Sequence, residues 1–165
     1  MKARMLGGLT ALAVLCVDQA SKLWLLHGLK MEEHDRIAVA PFMDFVLAFN
    51  PGISFSLFRQ GTEAGRWILL GLTCAATVFL SVWLWRAGGK VAAIGLGAIV
   101  GGALGNGVDR FAYGAVVDFC DVHAFGYHFY VFNIADTAIN IGVALLLYDG
   151  LLAGRRAPPL AEEKN

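Results

Sequence analysis

Two stretches of this chain run without a charged residue for long enough to cross a bilayer, and no other sequence feature limits the fold as strongly. Trp67 to Trp85 is a run of 19 residues bounded by Arg66 and Arg86, and Val91 to Val108 is a run of 18 bounded by Lys90 and Asp109. As helices, runs of this length span a hydrocarbon core about 30 Å thick. Two further segments are apolar but interrupted: Met5 to Leu29 by Asp18 and Lys22, and Tyr130 to Leu152 by Asp136 and Asp149. Four transmembrane helices are therefore predicted, near residues 5–28, 65–86, 91–110 and 130–152. They form one membrane-embedded domain over 1–165, with outer loops at 29–64 and 111–129 and a flexible tail at 153–165.

Composition agrees with a membrane solvent. Of the 165 residues, 58% are hydrophobic and 16% charged, against about 25% charged in soluble domains. Thirteen basic residues balance thirteen acidic ones, so the basic excess of a nucleic-acid binder is missing and no nucleic-acid partner is expected. Cys16, Cys74 and Cys120 are widely spaced and form neither a disulfide framework nor a CxxC zinc pair. They read as small apolar filler. The first segment has the basic start of a signal peptide in Lys2 and Arg4, but no A-x-A-like site follows it. Leu15 stands where a lipoprotein cleavage box needs a small residue before Cys16. A retained first helix is expected.

Basic residues orient the spans. Lys2, Arg4, Arg86, Lys90, Arg155, Arg156 and Lys164 fall in the two ends and one tight loop. Lys30, Arg36, Arg59 and Arg66 on the opposite side are offset by Glu32, Glu33, Asp35, Asp44 and Glu63. Both termini are thus expected in the cytoplasm and both long loops outside. Residues 37–49, 115–119 and 127–132 are rich in β-branched and aromatic residues and read as short strands of one small sheet on the outer membrane surface. Residues 59–64 (RQGTEA) read as a polar turn into the second helix. The third span carries Gly97, Gly101 and Gly105 at four-residue spacing. That pattern allows close helix approach, within the monomer in preference to a homodimer.

A charge at the bilayer centre costs about 2.5–3.5 kcal/mol on insertion scales, so intramembrane polar residues are candidates for function. Asp18 and Lys22 are spaced i,i+4, which suits a simple mutual pair as well as a site. Asn106, Asp109 and Arg110 share a face of the third helix, and Asn133, Asp136 and Asn140 a face of the fourth. With Asn50 in the first outer loop and Asp118 in the second, all fall at one depth, the outer leaflet boundary. Polarity serving only packing would scatter. The chemistry on offer is that of carboxylates: two aspartates sharing a proton can activate water for attack on a carbonyl with no metal. His123 and His128 near Asp121 motivate a metal site only weakly, since HExxH is absent. A proton-coupled transporter and a non-catalytic assembly subunit are the rival readings. The first predicts acidic groups at several depths, and the second predicts dispensable aspartates.

These residues fall in motifs that resemble those of the bacterial lipoprotein signal peptidases, the signal peptidase II family. Asp18-Gln-Ala-Ser-Lys22 resembles DQxxK, residues 49–55 (FNPGISF) resemble FNxGxxF, and residues 105–110 (GNGVDR) resemble GNxxDR. Val117-Asp118-Phe119 resembles VxDF, and Phe132-Asn133-Ile134-Ala135-Asp136 resembles FNxAD. The five motifs stand in family order and span essentially residues 8–150. The resemblance implies a mainly α membrane protein with four transmembrane helices, a small extracytoplasmic β-sheet and a lid-like segment. It implies an aspartic endopeptidase of the bacterial inner membrane that cuts prolipoproteins before a diacylglyceryl-modified cysteine. Asp118 and Asp136 match the catalytic pair. Asp18, Lys22, Asn50, Gly52, Asn106, Asp109, Arg110 and Asn133 match substrate-binding and supporting positions. No cofactor or metal is implied. The implied partners are the lipidated precursor, membrane lipids and the cyclic peptide inhibitor globomycin, and a monomer is expected. Pro51 and Ile53-Ser54 depart from the usual loop sequence but keep Asn50, Gly52 and Phe55. Asp121 ranks below Asp118 because it lies outside VxDF.

Overall fold

The computed structural model describes residues 2–52 and 63–156. Its helices are α1 (Ala3–Leu23), α2 (Glu63–Arg86), α3 (Lys90–Tyr113) and α4 (Ile134–Arg156), and its strands are β1 (Ile37–Ala40), β2 (Met43–Asn50), β3 (Val116–Ala124) and β4 (Tyr127–Phe132). All four helices carry a window long and apolar enough to cross a membrane, and the protein is a multi-pass membrane protein. Leu72, Val78, Phe79 and Trp85 of α2 are exposed, as apolar side chains are when lipid is the solvent.

α3 is the axis of the bundle, packed against α1, α2 and α4. Its glycines account for this. A side chain at Gly97 would overlap the backbone of Gly7, and one at Gly101 would lie 2.5 Å from the Ala11 carbonyl oxygen, both on α1. On the other flank a Cβ at Gly102 would lie 2.6 Å from the Ala135 oxygen of α4. The small-residue stripe is thus engaged inside the chain, where backbones meet.

Helix ends differ from the sequence expectation in ways with local causes. α1 runs into a π-helical turn, Trp24–Gly28, closed by the Leu29 N–H donating to the Trp24 oxygen at 2.8 Å. α3 continues to Tyr113 and stops at Gly114, whose φ of 78° suits glycine. Arg66 of α2 donates to the carbonyls of Arg110 and Phe111 there, satisfying the last turn. α4 begins at Ile134, not near 130, because Tyr130 to Phe132 are drawn into β4 and Asn133 caps the helix. It also runs to Arg156, into the stretch expected as tail. The remainder of that tail, the lid-like segment and most of the RQGTEA turn lie outside the described residues.

The sheet is antiparallel in the order β1-β2-β3-β4. β3 is central, mostly buried, and joins α3 to the sheet. Beneath it Leu25, Met31 and Phe119 form a small core with Phe45 and Ile134. Phe119 and Phe45 meet edge to face at 5.9 Å. This core seats the sheet on the C-terminal end of α1 and the N-terminal end of α4.

Candidate active site

The polar residues singled out from the sequence converge on the junction of α1, α3, α4 and β3. At its base is Lys22. Its Nζ lies 2.7 Å from Asp18 Oδ2, 2.7 Å from Asp109 Oδ2, and donates to Asn106 Oδ1 at 3.3 Å. An ammonium has three donors and all three are used. Asp18 and Asp109 are both 0% exposed and Lys22 2%. The i,i+4 pair of α1 is therefore not self-contained, since it fastens α1 to α3. Asp18 also accepts from the Ala135 N–H at 2.9 Å, so it sits at the positive N-terminus of α4. A side chain at Gly105 would overlap Asp18. Asp109 accepts from the Val117 N–H at 3.1 Å and so locks β3 onto α3.

Above this base stand the two aspartates of interest. Asp118, on β3 and 2% exposed, accepts from Asn133 Nδ2 at 2.7 Å and from Asn50 Nδ2 at 3.0 Å. Asp136, in the first turn of α4, accepts from Asn106 Nδ2 at 2.9 Å. Asn133 touches both. Its backbone N–H donates to Asp136 Oδ2 at 3.3 Å, while its side-chain oxygen accepts from the Asp136 N–H at 2.9 Å. That reciprocal pair is a capping box built from Asn and Asp, so the FNxAD motif is also a helix-start signal. Burial pushes the Asp118 carboxyl up to about 6 despite the Asn50 hydrogen bond, and the charge of Asp136 adds to the rise. Two neighbouring carboxyls in unlike surroundings have the makings of an acid and base pair.

Gly52 has a φ of 118°, donates its N–H to Asn50 Oδ1 at 3.1 Å, and leaves no room for a Cβ against Leu69. Arg110 donates to the Asn106 carbonyl at 3.3 Å, and its charge acts on Asp136, Asp109 and Asp118. Its Nε is buried without a hydrogen-bond partner among the described residues. Asn140 stays out of the network, and its side chain bonds the Asp136 carbonyl at 2.9 Å. It lines, with Tyr130, Phe132, Asp136, Thr137, Ile139 and Ile141, a cleft of about 530 Å³ that opens beside Asp136.

Two members of the network were missed by sequence reasoning. Gln19 donates to Asp109 Oδ1 at 2.9 Å and to the Gly105 carbonyl at 3.1 Å. It stands inside the DQxxK motif, so a signal existed. Tyr130 Oη lies 2.8 Å from Asn50 Nδ2, and only the tertiary pairing of β3 with β4 brings it there.

A second charged cluster occupies the far half of the sheet. Arg36 pairs with Asp44 at 2.6 Å and Asp121 at 3.2 Å, and His128 Nδ1 lies 2.8 Å from Asp121. Burial would raise the Asp44 carboxyl, but Arg36 and His123 outweigh it and hold the group below the usual carboxylate range. Asp121 thus belongs with Arg36 and His128. Among the described residues no three His, Cys, Asp or Glu side chains are arranged to hold a metal ion.

Four spanning helices, a small sheet and an aspartate pair at their junction, Asp118 buried and Asp136 partly so, define a membrane protein with a carboxylate site. Known proteins make this particular. A family model described as signal peptidase (SPase) II matches residues 10–152. A lipoprotein signal peptidase of Methylocella silvestris is 54% identical over 95% of this chain and 92% of its own length. One of Beijerinckia indica subsp. indica is 48% identical over 100% of this chain and 99% of its own. A bacterial membrane enzyme solved by the in meso method at 2.3 Å is similar with a TM-score of 0.72 and 29% identity, covering 96% of this chain and 93% of that one. The chain belongs to the signal peptidase II family, and it is a membrane peptidase.

Proposed function

We propose that this peptidase removes the signal peptide of diacylglyceryl-modified prolipoproteins by aspartic chemistry at Asp118 and Asp136. The observation that carries the reading is Asn133. One residue hydrogen-bonds both carboxyls, through its side chain to Asp118 and its backbone to Asp136, and so holds them as a pair. Asp118, raised to about 6 by burial, is the member that keeps the proton. Asp136 is the base that takes the proton of the attacking water.

The steps follow from that assignment. Water attacks the carbonyl carbon of the residue before the lipidated cysteine while Asp136 takes its proton. Asp118 gives its proton to the developing oxyanion. The tetrahedral diol then collapses: Asp136 protonates the cysteine nitrogen as the C–N bond breaks, and Asp118 recovers a proton from the diol. Asn106, Asn50 and Asn133 hold the two acids still. Lys22, Asp18 and Asp109 hold the helices that carry them, and Arg110 and Gly52 receive the peptide backbone.

A scissile bond next to a membrane-anchored cysteine lies near the lipid surface, and a site at the helix–sheet junction meets it without extracting the lipid. The cleft beside Asp136, walled by Phe132, Ile139 and Ile141, suits the apolar parts of the substrate. It also suits a cyclic peptide inhibitor such as globomycin. The distribution of basic residues supports residence in the bacterial inner membrane with both termini cytoplasmic and the site near the periplasmic face. The whole chain, 1–165, acts as one peptidase domain. The use of its glycine stripe in its own bundle supports work as a monomer.

The test is cleavage of a diacylglyceryl-modified precursor by purified enzyme in micelles. Asp118→Asn and Asp136→Asn are each expected to fold, by thermal unfolding, and to lose at least about a thousandfold in kcat. Continued cleavage by either variant removes that residue from the mechanism.

A further inference from the structure

Tyr130 belongs to none of the five motifs, yet its hydroxyl is the third anchor of an amide that touches the site. Asn50 and Tyr130 sit on β2 and β4, the two strands that flank β3. Their side chains meet over β3, the strand of Asp118. The Asn50 amide is then fixed at every polar position. Its Oδ1 accepts from the Gly52 N–H at 3.1 Å, and its Nδ2 donates to Asp118 Oδ2 at 3.0 Å and Tyr130 Oη at 2.8 Å. An amide nitrogen has two N–H donors, and here one is committed to each acceptor. Asp118 is buried, whereas Tyr130 is 66% exposed and lines the cleft beside Asp136. Asn50 therefore sits between the dry and the open side of the site, and the hydroxyl is its only side-chain partner on the open side among the described residues.

We infer that Tyr130 is a positioning residue for the reaction: its hydroxyl holds the Asn50 amide in the orientation that donates to Asp118. The inference rests on the assignment of Asp118 to the catalytic pair. Without the hydroxyl, the amide keeps its bond to Gly52 but can swing its second N–H toward water, so the bond to Asp118 is made for a smaller share of the time. That bond stabilises the ionised carboxylate. Its loosening makes Asp118 a weaker acid and disturbs its aim at the substrate carbonyl. The aromatic ring is not what matters, so Tyr130→Phe isolates the effect.

The experiment measures cleavage of a diacylglyceryl-modified precursor by full-length Y130F in micelles across pH, with D118N and D136N in parallel. Y130F is expected to unfold at the wild-type temperature, to lose about five- to tenfold in kcat at nearly constant KM, and to show the alkaline limb of its kcat/KM profile displaced upward by about half a pH unit. In an N50A background Y130F is expected to add nothing, because the interaction it serves is gone. If N50A is too slow for that cycle, the pH displacement decides alone. Unchanged kcat and pH profile in Y130F, with D118N inactive, overturns the positioning role and leaves the catalytic pair standing. A raised KM with kcat and pH limb unchanged makes Tyr130 a substrate contact and equally overturns it. Cleavage by D118N removes the catalytic assignment and the inference with it.

Discussion

Replacing Lys22 by Met tests whether the ionic base of the site is what clamps α1 to α3. The methionine keeps the length of the side chain and removes the charge. Lost with it are two short contacts to carboxylates, both at 2.7 Å, and one longer bond to Asn106 at 3.3 Å. Hydrogen bonds to charged groups contribute about 1.5–3 kcal/mol each, and breaking one side of a buried ion pair costs about 3–5 kcal/mol. The structure points to the lower end of that range. Asp18 keeps the Ala135 N–H and Gln19, and Asp109 keeps Gln19 and the Val117 N–H, so neither carboxylate is stripped bare. A loss of about 3 kcal/mol corresponds to a fall of about 6–12 °C in unfolding temperature for a chain of this size. Thermal unfolding in micelles measures it. The sign of a second substitution checks the cause: adding Asp109→Asn removes one of the two uncompensated charges and should recover part of the loss. A fall under about 2 °C for K22M refutes the reasoning, as does a double variant less stable than K22M.

Two further outcomes follow from the geometry. The proposed mechanism requires one proton on the aspartate pair and assigns it to Asp118, whose carboxyl burial pushes up to about 6; that proton is lost as pH rises, so kcat/KM should decline about tenfold per unit above that value, and a profile flat from pH 5 to 9 would place the proton elsewhere. Gly97→Val puts a branched side chain into the backbone of Gly7, and should destabilise the bundle by about 1–3 kcal/mol or more, read as a lower unfolding temperature, whereas Gly8→Val, with open space around it, should leave that temperature within a degree or two.

The sequence motifs named most of the residues that meet at the junction, but not what each does there. Asp18 and Lys22 read equally well as a private pair, because i,i+4 spacing reports only what one helix can do for itself. Asp109, 87 positions after Lys22 in the numbering, turns that pair into a clamp, and nothing local announces it. The start of α4 was misplaced for a related reason. Tyr130 to Phe132 are as apolar as the helix that follows, and only pairing with β3 draws them into the sheet. The capping box at Asn133 and Asp136 was legible in retrospect, since its signature is a fixed three-residue spacing.

Solvent and spacing, then, were determined by the sequence alone. Long uncharged runs require lipid around them, and the few polar residues within those runs mark a costly site, because a charge in hydrocarbon carries a desolvation cost set by residue type and depth that only a partner can offset. Which amides face Asp118, and that Tyr130 and Gln19 join the hydrogen-bond network around the site, were decided only by the tertiary structure. Hydrogen bonds act over about 3 Å, and distances that short between residues on different helices and strands exist only once α3 has drawn α1 and α4 together and the sheet has closed over their ends.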